Sequence, residues 1–176
     1  IENIHNKWVL HLDIKPDNFM LKENNGVTKL YIIDLGLSKI YLSDSKKHIE
    51  ERNDRKIIGT VKYVSINLHN GIEPSRRDDI ESLCYTFISL YKKSLIWDDD
   101  IDEYYKKSLD KRVNISYLHN KILEKKQNSL EWLHDIPGEF ITILLYSRRL
   151  KFLERPNYKY LQGIIKNLLE YLKSNI

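Results

Sequence analysis

The spacing of apolar residues changes character twice along this chain. Trp8, Val9 and Leu10 form one short apolar run and Phe19, Met20 and Leu21 another, the second stopped by the turn-rich pentapeptide KENNG at residues 22–26. The β-rich stretch KLYIID follows at residues 29–34, so this part of the chain is expected to form a hairpin flanked by polar loops, with Phe19 and Met20 fixed in the core. The opening IENIHNKWVL reads as the end of an apolar helix running into a strand. From about residue 35 to residue 77 no period persists. Ser, Lys, Asp and Asn dominate there, interrupted by Gly59, Gly71 and Pro74, and so long a loop in a compact domain is usually functional or disordered.

The second half is helical in pattern. Ile80, Leu83, Cys84, Phe87, Ile88 and Tyr91 recur at one-face helical spacing, and Asp78 with Glu81 three residues on makes a start signal. A second stripe of Phe140, Ile143, Leu144, Ser147 and Leu150 follows Pro137-Gly138-Glu139. A third, of Leu161, Ile164, Ile165, Leu168, Leu169 and Leu172, follows Pro156-Asn157. Weaker helical segments lie near 101–109 and 115–126. The expected architecture is a mainly α single domain with a small β-hairpin on its N-terminal side.

Composition narrows the setting. With 176 residues, 41% of them hydrophobic, one substantial core can be buried. The one cysteine, Cys84, excludes an intrachain disulfide. Without a signal-like apolar start, it points to an intracellular compartment, cytoplasmic or nuclear. Cys84 itself sits on an apolar helix face and reads as a small buried hydrophobe. No apolar run approaches a membrane span. The net charge of +4 is mild, and no basic stripe interleaved with aromatics calls for nucleic acid. The pairs Lys92-Lys93, Lys106-Lys107 and Lys125-Lys126 read as solvated helix faces.

The chemistry is concentrated in HLDIKPDNFM, residues 11–20. His11, Asp13, Lys15 and Asn18 are followed, sixteen residues after the asparagine, by Asp34-Leu35-Gly36. Phosphoryl transfer from a metal-bound nucleotide needs these groups: one acid orients the acceptor hydroxyl, a lysine steadies phosphate charge, and an amide with a second acid holds magnesium through hard oxygens. The plainer reading, a Lys-Pro-Asp-Asn turn beside a packed His11, explains the residues singly but not the acid-x-glycine after a β-rich run. His5, His11 and Asp13 lack a further well-placed ligand for zinc.

On these residues the chain resembles the eukaryotic protein kinase catalytic lobe: HLDIKPDN looks like the H-R-D catalytic loop, and DLG like the D-F-G magnesium motif. GTVKYVSINLHNGIEPSRRDDIESL, residues 59–83, is similar to the end of the activation segment and the following helix in the casein kinase 1 family, which carries S-I-N where most kinases carry A-P-E. Residues 138–161 also look like that family's C-terminal helices. The resemblance implies a partial kinase domain over residues 1–176, with catalytic loop 11–18, magnesium motif 34–36 and activation segment 34–67. It implies a serine/threonine protein kinase using ATP and Mg2+, with Asp13 as catalytic base, Lys15 facing phosphate, Asn18 and Asp34 as magnesium ligands, and Thr60 holding Asp13 and Lys15. Asp79 would anchor the catalytic-loop backbone and Arg148 would be structural. Lys62 stands where the family has an arginine of an anion site, which would favour acidic or pre-phosphorylated protein substrates.

The departures matter as well. Leu12 replaces the usual arginine, so activity independent of loop phosphorylation is expected; Leu35 replaces phenylalanine, and Cys84 a glycine. The six glycines, at 26, 36, 59, 71, 138 and 163, contain no G-x-G. The N-terminal lobe that supplies the phosphate-covering loop and its lysine–glutamate pair is expected to be missing, so that the chain acts as part of a longer kinase and is inactive alone. The alternatives are a pseudokinase-like interaction module and, third, a basic nucleic-acid binder.

Overall fold

The structure, a computed structural model, describes residues 1–110, 114, 116–128 and 133–174. Its central element is α3 (Arg76–Lys92). The stripe expected there buries Ile80, Cys84 and Ile88 completely, while Tyr91 at the end is half exposed. The opposite side is buried too, through Asp78, Asp79, Glu81, Ser82, Tyr85, Thr86 and Ser89. A helix apolar on one stripe normally shows its polar face to water. Here the polar face supports the loops of the site. The helix begins two residues before Asp78: Ser75 is the cap, and its N–H donates to Asp78 Oδ2 at 2.8 Å.

Around α3 the chain order is α1 (Glu2–His5), β1 (Val9–Leu10), a 3-10 turn at Pro16–Asn18, β2 (Phe19–Asn24), β3 (Val27–Ile32), β4 (Lys39–Ile40), α2 (Ile66–His69), then after α3 come α4 (Asp98–Ser108), α5 (Ser116–Gln127), α6 (Gly138–Arg149) and α7 (Tyr158–Ser174). Phe140, Ile143 and Leu144 of α6, with Leu161 and Leu168 of α7, join Ile80, Cys84, Ile88 and Trp97 in the main core. The helical segments read from the sequence are all present; α4 begins three residues earlier than expected. Part of the stretch preceding α5, at 111–113 and 115, lies outside the described residues. Cys84 is buried as expected, its Sγ 3.2 Å from the Phe140 carbonyl, and burial pushes its thiol pKa far up.

The hairpin is β2–β3, antiparallel from Phe19↔Ile32 to Asn24↔Val27. Its turn is only Asn25-Gly26, with φ of 50° and 75°, the two left-handed positions that a tight hairpin turn requires. Strand continues through residues 22–24, and Asp34 lies beyond β3. The placement of Met20 in the core is not met: Met20 is 54% exposed, Leu21 71% and Leu30 63%. Both faces of the hairpin therefore present apolar side chains to solvent. A second sheet pairs β1 with β4, Val9↔Ile40 and Leu10↔Lys39, closing a separate small core of Leu10, Leu12 and Tyr41. Among the described residues no helix is long and apolar enough to cross a membrane.

Candidate active site

The segment 11–18 leaves β1 and turns sharply at Leu12, whose φ is 66°. A leucine in that region costs about 1–2 kcal/mol, so the surrounding structure must hold it there. Asp79 does so from beneath. Its Oδ2 accepts the N–H of His11 at 2.7 Å and its Oδ1 the N–H of Leu12 at 2.9 Å, while His5 Nε2 is 2.8 Å from Oδ2. Burial opposes ionisation of Asp79, but His5 and the two backbone donors outweigh it and leave the carboxyl pKa lowered. The anchoring role expected for Asp79 thus has a geometry, and His5, tied on its other side to Tyr158 OH at 2.7 Å, is part of it.

Asp13 follows on this pinned backbone and is 7% exposed. Its Oδ1 accepts both the Thr60 N–H at 3.0 Å and the Thr60 Oγ1–H at 2.7 Å; its Oδ2 lies 2.8 Å from Lys15 Nζ and 3.2 Å from Asn18 Nδ2. Lys15 Nζ also donates to Thr60 Oγ1 at 3.0 Å. Burial raises the Asp13 carboxyl pKa, but the Lys15 ammonium and the Thr60 donors more than offset this and hold it below the ordinary value. Lys15 is raised in return, by its bond to Asp13. Asp13, Lys15, Asn18 and Thr60 are thus brought together as expected, although Thr60 comes from a loop 47 residues downstream of Asp13.

Thr60 reaches Asp13 because Gly59, at φ 96°, lets its own stretch of chain cross the 11–18 loop closely. A Cβ on Gly59 would lie 2.3 Å from the Leu12 carbonyl oxygen. Asn18 joins the other side of the site: its Nδ2 donates to the Asp13 carbonyl at 2.8 Å, and its own carbonyl accepts the Ile33 N–H at 2.9 Å. That bond sets Asn18 beside the residue preceding Asp34. Asp34 is exposed at φ 64°, and its Oδ1 accepts the Gly36 N–H at 3.0 Å. His11, whose place in the motif had no assigned task, links both loops: Nε2–H donates to the Ile33 carbonyl at 3.0 Å, and Nδ1 accepts the Asp13 N–H at 3.3 Å.

Lys62 stands apart from this cluster. Its ammonium is paired with Asp98 Oδ2 at 2.8 Å, at the start of α4, so its charge is engaged within the protein instead of open to a substrate anion. Lys126 departs further from expectation. Far from forming a solvated face, it is completely buried. A run of two lysines on a helix carries no sign of which one turns inward; only the packing of α5 against α2 and the 61–64 turn reveals it. Arg148 is structural as expected, with Nη2 donating to Tyr85 OH at 3.0 Å and to the Lys126 carbonyl at 2.7 Å.

The cradle therefore presents a carboxylate whose oxygens are oriented by a threonine, an ammonium group and an amide, beside a second carboxylate on an exposed turn. Such a set can orient a hydroxyl, receive its proton and neutralise phosphate charge. Compared with protein-family profiles, residues 1–174 match the protein kinase domain, a family of phosphotransferases that generally uses ATP and Mg2+. The match takes in every residue of the cradle, and on it this chain belongs to the protein kinase domain family.

Proposed function

We propose that this chain is the catalytic-loop lobe of a serine/threonine protein kinase of casein kinase 1 type, and that a nucleotide-covering lobe outside these 176 residues completes its site. The observation that carries the reading is the Asp13 cradle, in which Thr60, Lys15 and Asn18 converge on one nearly buried carboxylate. The serine/threonine assignment is supported by Lys15 two residues after Asp13. The casein kinase 1 type is supported by the contact between the two blocks that carry the resemblance: Ser65 and Asn67 of S-I-N donate to Asp78 Oδ1 of R-R-D-D at 2.7 and 3.0 Å.

Bound magnesium ATP supplies the phosphoryl group and the cation that offsets its charge. Asn18 and Asp34 fit such a cation by donor chemistry: the amide nitrogen of Asn18 is occupied by Asp13, which leaves its oxygen, and the Asp34 carboxylate is exposed. Asp13 orients the acceptor hydroxyl and takes its proton. Its lowered pKa keeps it ionised for that task, and Lys15 beside it would steady the phosphate charge. Thr60 fixes the carboxylate plane. Leu12, buried with Leu10 and Tyr41 where an arginine would meet a phosphorylated loop, supports activity independent of loop phosphorylation. The exposed apolar hairpin supports the second lobe, since a surface patch of this kind beside a site normally has a cover.

In the polypeptide that includes the covering lobe, Asp13→Asn should lower turnover about 10²- to 10⁴-fold with magnesium ATP binding retained. Unchanged turnover would remove Asp13 from its role. The 176-residue chain by itself should transfer little or no phosphate, and robust ATP-dependent phosphorylation by it would refute the need for a second lobe. Failure of the complete polypeptide to bind nucleotide with magnesium would favour an interaction module.

A further inference from the structure

Lys126 lies one residue from the end of α5 with no exposed surface. An ammonium group out of water needs an acceptor for each of its three N–H bonds. Lys126 has three: the carbonyls of Val61 and Val64, both at 2.8 Å, and His69 Nε2 at 2.9 Å. Tyr85 and Trp97 place their rings 5.1 and 5.2 Å from Nζ. The two carbonyls belong to the turn directly after Thr60, in which the N–H groups of Tyr63 and Val64 both donate to the Thr60 carbonyl. Trp97 Nε1 donates to the Lys62 carbonyl at 3.0 Å. The turn beside the catalytic carboxylate is thus held from α5 and from the residue before α4. None of the chemistry assigned to the cradle uses Lys126.

The row continues outward. His69 Nδ1 lies 2.8 Å from His119 Nε2; His69 is buried and His119 partly exposed. Two proton arrangements satisfy every bond. In the first, Lys126 is an ammonium donating to a neutral His69, whose Nδ1–H donates to a neutral His119. In the second, the Lys126 proton has moved to His69 Nε2 and the His69 Nδ1 proton to His119 Nε2. Lys126 is then an amine accepting from His69, and His119 is an imidazolium. The proton count is the same, but the positive charge has moved from core to surface.

Burial brings the two states closer in energy. Lysine and histidine differ by about 4 pKa units in water, and full burial removes roughly 3–5 from a lysine. Burial indeed pushes Lys126 well down, with Glu81 of α3 opposing and Arg148 of α6 reinforcing the shift. His69 and His119 are lowered by burial and then by the Lys126 charge, against the Val61 backbone at His69 and Asn120 at His119. Tyr85, between Glu81 and Arg148, stays protonated.

We propose that Lys126, His69 and His119 form one proton-sharing unit that positions the 61–64 turn, with Lys126 as a positioning residue for the acceptor segment beside Thr60. Only the effect on the acceptor rests on the kinase reading. The charged state grips the two carbonyls more strongly than the neutral amine, because hydrogen bonds from an ionised donor are about twice as strong.

The test uses the full chain without nucleotide. Side-chain 15N spectra of the histidines over roughly pH 6 to 10 should show both rings moving in one step with a shared midpoint. In Lys126→Met the shared step should leave this range, because burial still holds both imidazoles below their ordinary value. Two independent titrations in the wild type overturn the unit, and this measurement decides even where the variant does not fold. In a folded Lys126→Met, amide exchange over residues 61–66 should quicken about tenfold while α3 core amides keep their rates, as for local loss of a tether. No change, or equal acceleration everywhere, overturns the positioning role. In the complete polypeptide the same variant should raise KM for the protein acceptor about 5- to 10-fold with kcat and KM for ATP nearly constant, the pattern of lost acceptor binding. A fall in kcat at constant KM contradicts it. A wild type without turnover refutes the kinase reading, while the spectra and exchange rates still decide the unit.

Discussion

The two acids of the site are held in opposite ways. Asp13 is nearly buried, both of its oxygens are engaged, and its backbone rests on Asp79. Asp34 is exposed, and among the described residues its side chain bonds only within its own turn, to Gly36. The loop of Asp13 is wedged between α3 and the 59–64 segment, whereas Asp34 follows a hairpin open on both faces. Orienting an acceptor hydroxyl requires a carboxylate fixed before substrate arrives. A cation-binding carboxylate can be ordered by the cation itself, so exposure is no obstacle there.

The sharpest way to break this comparison is to remove the support under each acid. Asp79→Ala would leave His11 N–H, Leu12 N–H and His5 without their acceptor and should cost about 3–5 kcal/mol in urea unfolding, since each buried donor left unsatisfied costs about 1–3 kcal/mol. Asp34→Ala should stay within about 0.5 kcal/mol of the wild type, while magnesium-dependent nucleotide binding by the complete polypeptide is lost. Equal destabilisation by the two changes would erase the distinction.

The pH dependence sharpens it next. Burial raises the Asp78 carboxyl from 3.8 to about 6, against the donors Ser65, Ser75 and Asn67. Because the folded value lies above the unfolded one, its contribution to stability is full below about pH 4 and is lost as pH rises through 6, on the order of 3 kcal/mol. Asp13 and Asp79 carry lowered values, so their contributions are present above the ordinary carboxylate range and lost on acidification. Unfolding midpoints measured between pH 3 and 8 should peak near about pH 4 and decline from there in both directions. Asp78→Asn should flatten the alkaline-side decline and leave the acid side intact; an unaltered profile would count against the Asp78 assignment.

A glycine pair tests the same contrast in the backbone. Gly59→Ala drives a Cβ to 2.3 Å from the Leu12 carbonyl and should cost more than about 2 kcal/mol. Gly26→Ala also sits at positive φ, but in an exposed turn with nothing within 4 Å, and should cost about 1 kcal/mol. The smallest effect is expected from Asp98→Asn, which releases Lys62. A partly exposed pair contributes about 0–1 kcal/mol, so stability should barely move. Freed Lys62 should lower KM for an acidic acceptor peptide about 2- to 5-fold, as one restored surface charge pair would. If KM for neutral and acidic peptides falls alike, Lys62 has no part in recognising acids.

Much of the molecule was legible in local pattern. The stripes at 80–91, 140–150 and 161–172 became α3, α6 and α7, because burial of one helix face imposes a spacing that any reader of the chain can see. HLDIKPDN was legible for another reason: Asp13, Lys15 and Asn18 meet within one loop, so a few residues of sequence hold the whole contact set. Other features left no such trace. The β1–β4 pairing joins residues 29 and 31 apart through two short strands without period. His5 reaches Asp79 across 74 residues, and Lys126 reaches Val61 across 65. Met20, read as an anchor to the core, lies largely in solvent.

By itself, then, the sequence determined the helices, the hairpin and the grouping of Asp13, Lys15 and Asn18 in one loop, all of which depend on neighbours within a few residues. Tertiary structure alone decided which polar groups are buried. Asp13 became a held carboxylate when Gly59 let Thr60 close on it. Lys62 lost its freedom to Asp98, and one lysine of an unremarkable pair was enclosed beneath the 61–64 turn. Burial converts each of these groups from a solvated charge into one that must find its partners, and those partners come from parts of the chain that no local pattern connects.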